Sequence, residues 1–158
     1  MVQRIQSLFL LAAALVVALL FALPLATYEQ ADGGRYLLTV LGLTTADGVE
    51  VADVSLKLPL HVLAAILGAL LLVTIFFFKD RARQVRFVRF SYLAAVSLLV
   101  AEWITHASVL AYLQQGGKVA YALQPGFFLP FAAIFLGIAA ERAIKKDEAL
   151  VRSADRLR

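Results

Sequence analysis

The sequence predicts an all-α membrane protein: a four-helix transmembrane bundle with a short extracytoplasmic β-hairpin and a cytoplasmic C-terminal amphipathic helix. Of its 158 residues, 62% are hydrophobic and 16% are charged, whereas soluble domains are about half apolar and a quarter charged. The apolar residues fall into separate blocks of membrane-spanning length, and the basic residues lie between alternate blocks. This length predicts a single domain over residues 1–158.

The apolar blocks predict membrane spans because a bilayer core requires about 20 apolar residues as helix. Only a helix satisfies every backbone N–H and C=O inside such a segment. The first block could instead be a signal peptide, but it is long for one, and Pro24-Leu25-Ala26 is a poor cleavage site. The predicted spans are about 5–26, 58–78, 88–113 and 122–144.

The distribution of Lys and Arg predicts that both termini are cytoplasmic. Three basic residues fall on one side of the predicted spans: Arg35, Lys57 and Lys118. Twelve fall on the other side. This asymmetry accounts for the net charge of +4 without a nucleic-acid partner. The twelve are Arg4, Lys79, Arg81, Arg83, Arg86, Arg89, Arg142, Lys145, Lys146, Arg152, Arg156 and Arg158.

The external loop, residues 27–57, contains two β-like runs. Tyr36–Thr44 and Val49–Leu56 flank Ala46-Asp47-Gly48, and Asp-Gly is a strong turn signal. We therefore predict a short two-stranded hairpin here. The second external segment, Gln114–Gln124, contains two consecutive glycines and is predicted to be a loop.

The tail after the fourth span, residues 145–158, is predicted to continue as a helix because it contains no Gly or Pro. It should be amphipathic and lie at the membrane surface or against the basic 79–89 link. Anionic lipid headgroups suit its basic side chains, and another membrane or cytoplasmic protein is the alternative partner. This candidate surface comprises Lys145, Lys146, Arg152, Arg156 and Arg158.

Three ionisable residues lie inside the predicted spans, where such side chains are costly and are candidates for function. Glu102 and His106 are four residues apart and share one helix face. His61 falls in the same predicted outer half of the bilayer. One interpretation is a set of hydrogen bonds that holds the helices together. A second is a site for haem, quinone or a metal ion, and a third is a proton or ion relay in transport.

The sequence contains none of the common catalytic or phosphate-binding motifs, and with no cysteine it cannot form disulfides or cysteine-ligated metal centres. We expect a non-enzymatic accessory or scaffold subunit of a membrane complex, with no cofactor. The alternatives are a cofactor-binding subunit that uses His61, Glu102 and His106, and a small transporter. Small residues four apart, Ala64 with Gly68 and Ala133 with Gly137, predict close helix packing.

Two terminal motifs give a resemblance to a known family. The N-terminal motif is Val2 to Leu11, followed by Leu23-Pro24-Leu25-Ala26, and the C-terminal motif is Arg142 to Arg158. Together they resemble the bacterial four-span membrane proteins grouped as domain-of-unknown-function family 4293, whose external loop includes a stretch such as Gly42-Leu43-Thr44. The resemblance implies a bacterial cytoplasmic (inner) membrane location and no particular chemistry.

Overall fold

A computed structural model describes residues 3–51 and 58–155. This described part of the chain is mostly helical, with four α-helices and a small antiparallel sheet. Short 3-10 turns cover Phe77–Lys79 and Pro125–Phe128. The helices are α1 (Gln3–Leu19), α2 (Leu60–Phe76), α3 (Arg81–Gln114) and α4 (Leu129–Asp155).

Each helix packs against two others, in the pairs α1–α2, α2–α3, α3–α4 and α4–α1. The α2–α3 link is so short that these helices must run antiparallel. The C-terminal end of α1 also meets the N-terminal end of α4, because the Gly126 N–H donates to the Pro24 carbonyl at 3.1 Å. Gly126 is required for this approach, since a Cβ there would lie 2.4 Å from the same carbonyl oxygen.

The sheet has four strands in the order β3-β2-β1-β4. Residue Thr27 of β1 lies opposite Leu37 of β2 on one side and Ala122 of β4 on the other. We call the end of the helices next to this sheet the sheet end. The opposite end, where α3 begins at Arg81, is called the ion-pair end. The strands are β1 (Ala26–Gln30), β2 (Arg35–Leu38), β3 (Leu43–Thr45) and β4 (Val119–Leu123).

The predicted hairpin is wrong in its first strand and right in its turn. Tyr36–Thr44 is not one strand, because the chain reverses at Thr39, whose N–H and hydroxyl both donate to the Gly42 carbonyl. The Asp-Gly turn forms as predicted: Gly48 has φ +80°, and Thr44 bridges Glu50 beyond it. Most of the second predicted strand, 52–56, lies outside the described residues. The predicted second loop instead contains β4.

The helix bounds also differ from the predicted ones. α1 ends at Leu19, because Pro24 cannot continue a helix and Leu25 donates its N–H to the Leu38 carbonyl of the sheet. α3 begins at Arg81, so most of the predicted link is helical. The predicted helical tail is confirmed as far as Asp155, but as an unbroken extension of α4.

By length and composition, two helical segments of the described chain could cross a membrane: Arg81–Gln114 and Pro125–Ala149. Ile5–Leu19 and Leu60–Phe76 are shorter apolar helices. Buried residues on α3 recur every three or four positions along one face, from Gln84 and Val88 to Val109 and Leu113. Large apolar side chains cover the opposite, exposed faces of the helices. Several polar side chains, by contrast, lie on the buried faces.

Candidate functional site

The polar group nearest the sheet end is centred on His106, which is 3% exposed. The hydroxyl of Tyr28 on β1 lies 2.7 Å from Nδ1 of this imidazole. The two rings stack, with centroids 5.6 Å apart and an interplanar angle of 21°. Burial raises the pKa of the Tyr28 phenol, so the hydroxyl stays protonated. It can therefore donate a hydrogen bond to Nδ1 of the neutral imidazole. That tautomer carries the ring proton on Nε2.

Aromatic side chains surround the rest of the imidazole. The Tyr121 ring of β4 stands edge-on to His106 at 4.9 Å, and Trp103 lies at 5.8 Å on the same helix. Phe127 then packs on Trp103 at 6.2 Å. Tyr28 and Tyr121 are direct cross-strand partners in the sheet. The pairing of β1 with β4 therefore places one aromatic residue from each strand against the same histidine.

Glu102 lies one helical turn before His106 and is fully buried. Neither of its carboxylate oxygens has a hydrogen-bond partner within the described part of the chain. The buried hydroxyl of Thr105, three residues further on, likewise has none there. A buried carboxylate without a partner loses its hydration and gains nothing in return. Glu102 and Thr105 thus present unused hydrogen-bonding capacity on one face of α3.

Four other helical hydroxyl groups form the local hydrogen bond that Thr105 lacks. Thr74, Ser91, Ser97 and Ser108 each donate to the carbonyl four residues earlier, at 2.6 to 3.0 Å. Such local bonds satisfy a hydroxyl group inside a helix without any neighbour. Thr105 could use the same solution and does not, so its hydroxyl is available to a group outside its own helix.

His61 does not share the environment of the other two predicted site residues. It lies at the start of α2 and is exposed, whereas its neighbour Leu60 is fully buried. Glu102 and His106 lie on the buried face of α3, as their spacing predicts. Among the described residues, no three His, Cys, Asp or Glu side chains are arranged to hold a metal ion.

The ion-pair end contains the second polar region. Arg81 at the start of α3 lies 2.7 Å from Asp147 of α4, with both side chains mostly buried. The pair is held by charge rather than by an aligned hydrogen bond. Six residues earlier on α4, Glu141 accepts hydrogen bonds from Arg89 at 3.0 Å and from the Tyr92 hydroxyl at 2.6 Å.

The predicted basic surface of the tail is only partly described. Lys145 is exposed and pairs with Glu141 at 2.7 Å. Lys146 is exposed as well. Arg152 belongs to α4, but its side chain is outside the described part, as are Arg156 and Arg158. Ile144 and Asp147 are buried, so this stretch packs against the rest of the chain, as one of the two predicted placements requires.

Sequence reasoning missed Tyr28, Tyr121 and Thr105. The two tyrosines belong to strands whose paired residues, such as Thr27 and Ala122, lie 95 positions apart in the chain. The short apolar run Val119–Leu123 is a weak strand signal by itself. Thr105 could have been found, because a residue three positions after Glu102 shares its helix face.

Comparison with known proteins gives a family but no activity. No curated protein matches the chain. One family model matches residues 2–157, nearly the whole length, and its description is "Domain of unknown function (DUF4293)". The terminal motifs had indicated the same family. The chain therefore belongs to the DUF4293 family.

Proposed function

We propose that this protein is a four-span integral membrane protein, a four-helix bundle with both termini cytoplasmic, that serves as a non-enzymatic accessory or scaffold subunit of a membrane complex. In this arrangement the sheet end lies outside the cytoplasm and the ion-pair end lies inside it. The bacterial inner membrane is the location that this proposal assigns.

The observation that carries the proposal is the distribution of apolar side chains. All four helices expose large apolar residues, including Leu15 at 60%, Ile66 at 55%, Leu93 at 64% and Phe135 at 69%. A core helix of a soluble protein would be mostly buried, but the apolar windows of α3 and α4 are only 39% and 33% buried. Exposed apolar surface on this scale is unfavourable in water and favourable against lipid tails.

The buried polar residues support the same proposal. Gln6, Gln84, Glu102 and His106 are all almost fully buried, whereas their helices direct Leu and Phe outward. Transmembrane helices direct polar residues toward the inside of the bundle because such side chains are costly in contact with lipid. α1 and α2 have 17 residues each, at the short end of the range for a span.

The scaffold part of the proposal rests on the sheet. A groove of about 430 Å³ runs over it, lined by residues that include Thr27, Arg35, Leu37 and Ala122. These four lie on one sheet face according to the strand register. Such a face, outside the lipid, suits contact with a partner protein.

The topology can be tested directly because the chain has no cysteine, so any introduced one is unique. Asp47→Cys lies in the exposed turn of the sheet, and Lys146→Cys lies exposed near the other end. We expect a membrane-impermeant maleimide to label Asp47→Cys in intact cells, and Lys146→Cys only after lysis. The opposite pattern, or recovery of the protein outside the membrane fraction, would refute the proposal.

The scaffold role is tested by gentle solubilisation of the full chain and of a variant lacking residues 146–158. We expect defined proteins to co-purify with the full chain, and those docked on the tail to be lost from the truncated one. Asp147→Ala in the full-length chain should keep them, because it breaks the same ion pair with Arg81 and retains the rest of the tail. A chain that runs alone in every mild detergent tested would contradict a scaffold role.

A second candidate function is a cofactor-binding subunit, which the unpartnered carboxylate of Glu102 favours. A bound quinone or haem would provide partners for a carboxylate and a hydroxyl that have none among the described residues. An absorption spectrum and metal analysis of the purified protein test this, with Glu102→Gln as the comparison. A featureless spectrum without bound metal or quinone leaves the scaffold proposal standing alone.

A further inference from the structure

A basic and aromatic groove lies at the ion-pair end, separate from the ion pairs of Asp147 and Glu141. Arg83, Arg86, Phe87 and Phe90 line it from α3, and Phe77 lines it from the preceding turn. Its volume is about 420 Å³. The four α3 residues follow the spacing i, i+3, i+4 and i+7, so they form one continuous stripe on the helix.

The aromatic floor of the groove is ordered by ring contacts. The Phe77 and Phe87 rings lie 4.6 Å apart, and Phe90 meets Phe87 edge-on at 6.3 Å. The Arg83 guanidinium stands 5.9 Å above the Phe77 ring. Two apolar rings and a cation over a third ring form a surface with a charged end and an apolar end.

The charge in the groove is not fully balanced. Arg83 pairs with Asp80 at 3.3 Å, but Arg86 is exposed and has no ion pair within the described ranges. An anion that approached both guanidinium groups could form charge-assisted hydrogen bonds, and phosphate fits this geometry well.

The surface beyond the arginines distinguishes a lipid from free phosphate. Phe90 is 56% exposed, and Leu93 and Val100 continue the exposed apolar surface along α3. A free phosphate would use only the arginine end. A phospholipid would use both, with its phosphate at the arginines and an acyl chain along the apolar surface.

We propose that this groove binds one anionic phospholipid, with its phosphate between Arg83 and Arg86 and an acyl chain across Phe87 and Phe90. The inference rests on the membrane location and orientation proposed above, which place the groove at the cytoplasmic leaflet. That leaflet is rich in anionic lipid, and basic pockets on that side of membrane proteins hold such headgroups.

The test uses full-length protein, stripped of lipid in an uncharged detergent, and follows its thermal unfolding. We expect phosphatidylglycerol to raise the midpoint by about 5 °C, and phosphatidylcholine or glycerol phosphate to have little effect. Equal stabilisation by glycerol phosphate would overturn the lipid assignment, and equal stabilisation by phosphatidylcholine would overturn the phosphate contact.

Arg86→Gln is the test variant, because this exposed side chain has no ion pair among the described residues to lose. It should weaken phosphatidylglycerol binding about fivefold. Arg142→Gln removes the same charge from an exposed arginine of α4 outside the groove and is the matched control. Equal losses in the two variants would mean a general charge effect and would refute the site.

Fractionation of the cells that produce the protein distinguishes failure of the proposed function from failure of the lipid site. Recovery of the protein outside the membrane fraction would refute the proposed function. Recovery in the membrane fraction without preferential stabilisation by phosphatidylglycerol would refute only the lipid site.

Discussion

The two ends of the helices differ in whether their acidic side chains have partners. At the ion-pair end, Asp147 and Glu141 each meet arginine from α3. Towards the sheet end, Glu102 is fully buried and neither oxygen has a partner in the described chain. Removing one partner of a buried ion pair is strongly destabilising, whereas a buried carboxyl group without a partner weakens the fold unless something else binds it. The comparison therefore assigns a structural role to the ion-pair end and makes Glu102 the candidate functional group near the sheet end.

The largest effect is expected from breaking the ion-pair end. Asp147→Ala leaves the mostly buried Arg81 without its carboxylate, which should lower the free energy of unfolding by about 3 kcal/mol. Detergent or thermal unfolding of the purified protein measures this. The control is Glu29→Ala, which breaks an exposed pair with Arg35 and should cost less than about 1 kcal/mol. Equal losses of unfolding free energy in the two variants would contradict the difference between the buried and the exposed ion pair.

A second prediction concerns the glycines of the two small-residue pairs. A Cβ on Gly137 would lie 2.9 Å from the Tyr92 ring, so Gly137→Ala must displace the tyrosine that bonds Glu141. We expect a loss of about 2 kcal/mol in the free energy of unfolding.

Gly68→Ala is the matched control, because its Cβ would meet Val17 at an ordinary 3.7 Å. It should raise the free energy of unfolding by about 0.5 kcal/mol, since alanine favours the helix. Both glycines face a neighbouring helix, as internal packing predicts. Equal destabilisation by the two alanines would contradict the closer approach of the neighbouring side chain at Gly137 than at Gly68.

The third prediction tests the link between the sheet and α3. Tyr28→Phe removes the hydroxyl that bonds the buried His106 and should cost about 1 kcal/mol in the free energy of unfolding. Tyr36→Phe is the control, because its longer 3.2 Å bond to Gln30 is only partly buried. A tyrosine-to-phenylalanine change at 28 that costs no more than the one at 36 would argue against the Tyr28–His106 bond.

The smallest effect is expected at Glu102. Glu102→Gln replaces a buried carboxyl group, whose oxygens have no hydrogen-bond partner among the described residues, by a neutral amide of similar size, so the free energy of unfolding should stay the same or rise by up to about 1 kcal/mol. The same unfolding measurements decide this. A loss of more than about 1 kcal/mol would reveal a structural partner of the carboxylate and would remove the reason to regard it as a functional site.

Local patterns predicted much of this fold, and non-local pairing explains what they missed. The apolar blocks predicted the helices because helix hydrogen bonds and helix faces both depend on residues close in sequence. The shared face of Glu102 and His106 followed from the same rule. β1 and β4 were missed because their pairing joins residues such as Thr27 and Ala122, 95 positions apart. The Tyr28–His106 contact depends on that pairing, so no local pattern could predict it.

The pairing of β1 with β4 has a consequence for biosynthesis. β1 leaves the ribosome early, but one of its two neighbours is made only after α2 and α3 have been synthesised. Contacts between distant segments form slowly because a long loop must close first. The sheet is therefore completed late, and until then one edge of β1 is open to other chains or to chaperones. Quality-control factors should recognise the nascent chain during this interval.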